Sequence, residues 1–101
     1  MPVVILAQIP VKKGSESAFE EIFVELTAQV RQHEDDCYLY QLCKAQDGTY
    51  TVVEFYKDMD AVAAHGKTDY FKACGKRMAA CMAGKPKVEV LNTLGDVASK
   101  L

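Results

Sequence analysis

The 101-residue chain predicts an α+β domain laid out β-α-β-β-α-β, an antiparallel four-stranded sheet with helices on one face. Apolar residues alternate with a period of two in four short segments and recur at helical spacing in the stretches between them. Turn residues stand where the period switches, at Lys12-Lys13-Gly14, Gln46-Asp47-Gly48 and Gly84-Lys85-Pro86. Half the residues are hydrophobic and 26% are charged, a balance suited to one core and too small for two. We therefore read residues 1–101 as a single domain.

Val3–Val11 opens the sheet. One parity holds Val3, Ile5, Ala7 and Ile9 and the other Val4, Leu6 and Gln8, so the strand is apolar on both faces. Ser15–Gln32 reads as a helix with Phe19, Ile22, Phe23, Leu26 and Val30 on one stripe. Ser17 and Glu20 have the spacing of a capping box, and Glu16, Glu20, Glu21 and Glu25 crowd the half where the helix dipole favours negative charge. Cys37–Ala45 alternates and carries two tyrosines. Asp47-Gly48 suits a hairpin turn, and Thr49–Tyr56, rich in β-branched and aromatic residues, is the paired strand.

Asp58 or Asp60 caps a short helix, Ala61–His65, that stops at Gly66. Thr68 caps a longer one, Asp69–Ala83, with Phe71, Cys74, Met78, Cys81 and Met82 as its buried stripe and Gly84 and Pro86 as its stop. Lys87–Thr93 alternates again as the fourth strand, and Gly95–Leu101 is a tail, loose or laid over a partner. This is the ferredoxin-like plan with its second helix broken in two. Helices cover one sheet face, yet the first strand is apolar on both. The second strand sets Leu39, Cys43 and Ala45 on one parity against Tyr38, Tyr40 and Leu42 on the other. The uncovered face needs a cover, and a second copy packed sheet to sheet supplies it, so we expect a homodimer.

Several functions are set aside by composition. The longest apolar run, Val3–Ala7, is far short of a membrane span. Met1–Ile5 has no basic region of the kind that opens a signal peptide, and the expected location is cytoplasmic. A net charge of −2 is a poor footprint for nucleic acid. Cys37, Cys43, Cys74 and Cys81 show no C-x-x-C spacing. Cys37 and Cys43 lie about 20 Å apart along one strand, and Cys74 and Cys81 about 10 Å apart along one helix. Neither local pair can bond. Reduced core thiols are the preferred reading, with a cross-pair such as Cys37 with Cys74 the alternative.

Two residues stand out as acid–base candidates. His65 shares the apolar face of Ala61 and Val62, so it should point inward, where an imidazole titrating near neutrality suits proton transfer. A histidine at a helix C-terminus, favoured by the dipole alone, is the plainer reading. His33, among Gln32, Glu34, Asp35 and Asp36, is expected in solvent. Glu54 lies inside the third strand at the parity of Val52 and Tyr56, and a covered carboxylate must be paired or its pKa rises. A nearby imidazole would satisfy it; an edge ion pair with a lysine is the alternative. Gln8 and Asn92 interrupt the first and last strands, either as ligand-orienting groups or as solvent-facing positions. Residues 65–88 hold Lys67, Lys72, Lys76, Arg77, Lys85 and Lys87 against Asp69, which either draws in an anionic substrate or is a solvated face.

In the order and spacing of its pieces the chain resembles the antibiotic biosynthesis monooxygenase (ABM) domains of the small quinol-monooxygenase type. The pieces are Val11-Lys12-Lys13-Gly14 before an acidic helix, Val53-Glu54-Phe55-Tyr56-Lys57-Asp58, Asp60-Ala61-Val62-Ala63-Ala64-His65, Thr68-Asp69-Tyr70-Phe71 and Gly84-Lys85-Pro86. The resemblance implies a dimeric α+β barrel, a pocket in each subunit between sheet and helices, and oxidation of a small phenol or quinol with O2, using no metal and no flavin. It places Glu54 and His65 on the family's recurrent Glu and His as catalytic residues. Gln8, Tyr56, Tyr70, Phe71 and Asn92 are the candidates for binding substrate. Tyr56 stands where Trp is usual and Tyr70 where a second His is common. A chain with no Trp is unlike the haem-degrading branch. Tyr56-Lys57-Asp58-x-Asp60-Ala61-Val62-Ala63 and Lys72-x-Cys74 also resemble the branch that isomerises a phosphorylated dicarbonyl from autoinducer-2 breakdown. A non-catalytic dimeric binding or stress-response module is the third reading.

Overall fold

In the computed structural model, which describes residues 1–96, seven elements run β1 (Val3–Ile9), α1 (Glu16–His33), β2 (Cys37–Lys44), β3 (Tyr50–Tyr56), α2 (Met59–Gly66), α3 (Asp69–Ala79) and β4 (Lys87–Asn92). The strands form one antiparallel sheet in the order β2-β3-β1-β4, the ferredoxin-like arrangement expected. Residues 97–101 of the tail lie outside the described residues.

The elements differ from the sequence reading mainly at their ends. β1 stops at Ile9, because Pro10 has no N–H to give the ladder, and Val11 bridges to Met82 instead. α1 begins one residue late, and the Ser17–Glu20 capping box does not form. Ser15 is the N-cap with no side-chain bond, and Glu16 reaches back to the Gly14 N–H at 2.7 Å. Asp58, not Asp60, caps α2, accepting from the Ala61 N–H at 2.9 Å. Thr68 caps α3 through the Phe71 N–H at 3.2 Å, but the helix ends at Ala79, so Cys81 and Met82 belong to the segment that returns to Pro10 and Val11. Gly48 has a φ of +92°, the positive value its hairpin needs. All four cysteines are free thiols, so the Cys37–Cys74 pair is not formed.

The core lies between the sheet and the helices. Phe19, Ile22, Phe23, Leu26 and Val30 of α1 are buried against Ala7, Ile9, Tyr50 and Val52. Burying a side chain of this size stabilises the fold by about 1.5–3 kcal/mol. A second, smaller cluster gathers Val3, Ile5 and Tyr56 under Ala61 and Val62 of α2.

A bulge at the start of β2 changes which residues face the helices. Cys37 lies opposite Tyr56 and Leu39 opposite Phe55, two residues of β2 against one step of β3. From Leu39 onward the parity is shifted. Tyr40 and Leu42 therefore join Cys37 on the helix side, opposite Glu54 and Val52, while Leu39, Gln41 and Cys43 face away. Tyr38, expected on the side of Tyr40, instead packs edge-on against Phe55, with ring centroids 5.7 Å apart.

Candidate active site

The polar groups of the interior collect at one end of the helix layer, around the two apolar clusters. β3 supplies Glu54 and Tyr56, two residues apart and so on one face. Asp58 caps the start of α2 just after that strand, and about two turns later α2 delivers His65 to the same interior. The 3₁₀-like turn beyond His65 is fastened by Thr68, whose Oγ1 donates to the His65 carbonyl at 2.9 Å, and α3 then brings Tyr70 and Phe71. From the other side, Glu34 stands at the C-cap of α1.

His65 is 5% exposed and points inward, as its spacing predicted. Its ring is enclosed by Phe71, Tyr40 and Tyr56, at centroid distances of 4.7, 5.0 and 5.8 Å. The polar partner is Glu34, whose carboxylate oxygens lie 2.9 and 3.0 Å from Nδ1. The Tyr70 hydroxyl donates to the same carboxylate. Nε2 has no hydrogen-bond partner among the described residues, which leaves it as the nitrogen able to meet a ligand.

Glu54 is 9% exposed and accepts a hydrogen bond from the Tyr56 hydroxyl at 2.6 Å. Neither the imidazole contact nor the lysine pair considered from the sequence is its hydrogen-bond partner. Burial pushes its pKa up; the Tyr56 hydrogen bond and the nearby His65 oppose that rise, and Glu34 adds to it. Tyr56 is fully buried, and burial together with the adjacent Glu54 holds its phenol far above the usual tyrosine range. Tyr40 moves the same way, chiefly through burial. Tyr70 is pushed up to about 12 by burial and by its bond to Glu34. These phenols are therefore donors throughout the ordinary pH range.

The structure brings His65, Glu54, Tyr56, Tyr70 and Phe71 into one neighbourhood. Asn92 shares their sheet face but lies exposed on β4, two strands from Tyr56 across Val3, about 10 Å by strand spacing. Gln8 stands opposite Thr51 and Lys87 on the face that carries no helices, so the fold does not bring it to His65. His33 is exposed, stacked on Tyr70 at 5.9 Å. Glu34 was missed by sequence reasoning, which named it only as a neighbour of solvated His33. One signal was available: a carboxylate at the C-cap of a helix opposes the dipole, so it needs a partner elsewhere.

The resemblance implied a pocket between sheet and helices; at this place aromatic rings close on His65. The adjoining cleft, about 400 Å³, is lined by Glu34 and Tyr70 together with His33, Asp35, Asp36, Cys37, Ala61, Ala64 and Thr68, and by neither His65 nor Glu54. Among the described residues no group of three or more His, Cys, Asp or Glu is arranged to hold a metal ion. Among the described residues no helix is long and apolar enough to cross a membrane.

The chain is similar to known proteins in sequence and fold. A protein from Caulobacter crescentus CB15 classed with the antibiotic biosynthesis monooxygenases is 38% identical, covering 93% of this chain and 91% of that one, with a TM-score of 0.90. A protein from Nitrosomonas europaea of the same class is 22% identical over 92% of this chain and 90% of that one, with a TM-score of 0.87. A Mycobacterium tuberculosis protein, 21% identical, shares the fold over 97% of this chain and 100% of that one, with a TM-score of 0.88. Comparison with the curated proteins found no match. The family model described as antibiotic biosynthesis monooxygenase matches residues 2–77, which span all the buried polar groups described above, and the chain belongs to that family.

Proposed function

We propose that the protein is a monooxygenase that oxidises a small phenol or quinol with O2, and that His65 is the base that takes the phenolic proton. The observation that carries this reading is a buried imidazole held at Nδ1 by a carboxylate and walled by aromatic rings. Family membership supports the class of reaction. Such a wall suits a flat aromatic substrate, and a dry site strengthens the interaction of the imidazole with the charge it creates.

Deprotonation is the step the protein must supply. The proton passes from the phenol oxygen to Nε2 of His65, and the O–H electron pair stays on oxygen. The phenolate is electron-rich enough to reduce O2. Oxidation of a phenol with a free ring position consumes one O2, places one oxygen atom on the ring and releases the other as water, leaving the quinone. Glu54, its pKa raised by burial, is suited to exchange the second proton. The cleft adjoins this neighbourhood at Glu34 and Tyr70.

Enolisation of a phosphorylated dicarbonyl would use the same pair. The cleft favours the phenol, since Glu34, Asp35 and Asp36 line it and a phosphate dianion is repelled there. An oxygen electrode with a panel of phenols and quinols tests the reading. Uptake of O2 that His65→Ala reduces by about 10²-fold or more is expected. Conversion of a phosphorylated dicarbonyl without O2 would overturn it, and binding without turnover of any compound would favour the non-catalytic module.

The working unit is a homodimer. Val4, Leu6, Val53 and Phe55 are only half-buried on the sheet face without helices, beside exposed Tyr38, Leu39 and Leu91. An apolar face of this extent is best covered by its own copy.

A further inference from the structure

We propose that Glu34 is the positioning residue of His65: it fixes the proton of the neutral ring on Nδ1, so that Nε2 carries the lone pair that meets substrate. The inference rests on His65 being the base for its consequence in turnover, but its central claim concerns the resting protein and is tested there.

The argument begins with donors and acceptors. An ionised carboxylate only accepts hydrogen bonds. Both oxygens of Glu34 lie within 3.0 Å of Nδ1, so Nδ1 is the donor. A neutral imidazole has one N–H, and Nε2 is then bare. Around the ring stand Tyr40, Tyr56 and Phe71, and no side chain other than Glu34 hydrogen-bonds it among the described residues. The choice of tautomer thus falls to Glu34 alone.

Glu34 is in turn held for this task. Its side chain is only 12% exposed although it ends a helix, where the dipole disfavours a carboxylate. The Tyr70 hydroxyl supplies a second donor to the same carboxylate. Thr68 ties the two donors together. Its Oγ1 donates to the His65 carbonyl and accepts from the Phe71 N–H, so the junction of α2 and α3 carries His65 and Tyr70 as one piece. When Nε2 takes the substrate proton, the Nδ1–H stays in place and the imidazolium finds its counter-charge already in contact. Glu34 itself need not touch substrate.

The experiment is a long-range ¹H–¹⁵N spectrum of the ligand-free ¹⁵N-labelled protein at a pH where its histidines are neutral. Exposed His33 serves as the internal reference for a ring free to choose its tautomer. We expect His65 in the Nδ1–H form in the parent protein and a mixture like that of His33 in Glu34→Leu. In turnover, Glu34→Leu should lower kcat by about 10- to 100-fold with KM nearly unchanged, and Glu34→Asp should restore part of it. A parent spectrum with His65 in the Nε2–H form overturns the assignment, whether or not the variant folds. An unchanged Nδ1–H form in folded Glu34→Leu overturns it too. Expected spectra with no O2 uptake from any phenol would uphold the positioning role and remove the oxidation reading instead.

Discussion

Replacing Tyr56 by Phe removes a single oxygen from the interior and tests what keeps Glu54 there. The ring stays, so packing against His65 and the Val3–Ile5 cluster is preserved. The 2.6 Å hydrogen bond to Glu54 is lost. A hydrogen bond to a charged group contributes about 1.5–3 kcal/mol and one between neutral groups about 1 kcal/mol. The cost should therefore depend on whether Glu54 is ionised. Burial raises its pKa in the folded protein above the ordinary 4.5. The stability this group contributes is thus fully present below the unfolded pKa and is lost as pH rises through the folded one. The Tyr56 hydroxyl opposes the rise, so deleting it lifts the folded pKa further and deepens that loss. Urea unfolding followed by far-ultraviolet circular dichroism at pH 4, 6 and 8 reads the difference between parent and variant. We expect Tyr56→Phe to cost about 1 kcal/mol at pH 4 and about 2 kcal/mol at pH 8. The latter corresponds to a fall in Tm of roughly 10 °C for a domain of this size. Adding Glu54→Gln should flatten the dependence. A loss that is the same at every pH, or no loss, would refute the claim that this hydroxyl serves the buried carboxylate.

Other consequences are simpler to read. Asp58→Ala removes the N-cap of the helix that carries His65 and should cost about 1 kcal/mol in thermal unfolding, more than Asp60→Ala, whose side chain caps nothing. Phe55→Asp puts a charge in the middle of the uncovered sheet face and should turn a dimer into a monomer by light scattering; a monomeric parent protein would contradict the packing argument. Burial pushes the Cys37 thiol up to about 11, and Cys74 and Cys81 are buried. At pH 8 all three should resist a thiol reagent until denaturant is added, and rapid reaction of more than one thiol per chain would show the helix layer to be loosely seated.

The sequence alone determined the elements and their faces wherever the signal is local. The stripe from Phe19 to Val30, the alternation of Val3–Ile9 and the positive φ of Gly48 follow from periods of a few residues, and the polypeptide has no cheaper way to bury those side chains. Inward placement of His65 followed in the same way from its distance to Ala61 and Val62. Element ends were less legible, because α1 starts before Ser17, which is then inside the helix and cannot cap it, and Glu16 accepts from the Gly14 N–H instead. Tertiary structure alone decided the partners. The bulge at Cys37–Leu39 separates Tyr38 from Tyr40, and nothing in an alternating string marks where an extra residue enters a ladder. Glu34 and His65 are 31 residues apart and Tyr70 is 36 from Glu34, so their meeting depends on how α1 lies across β2 and against α3. A hydrogen bond is decided over 3 Å, and sequence periodicity fixes only the direction in which a side chain leaves its own element.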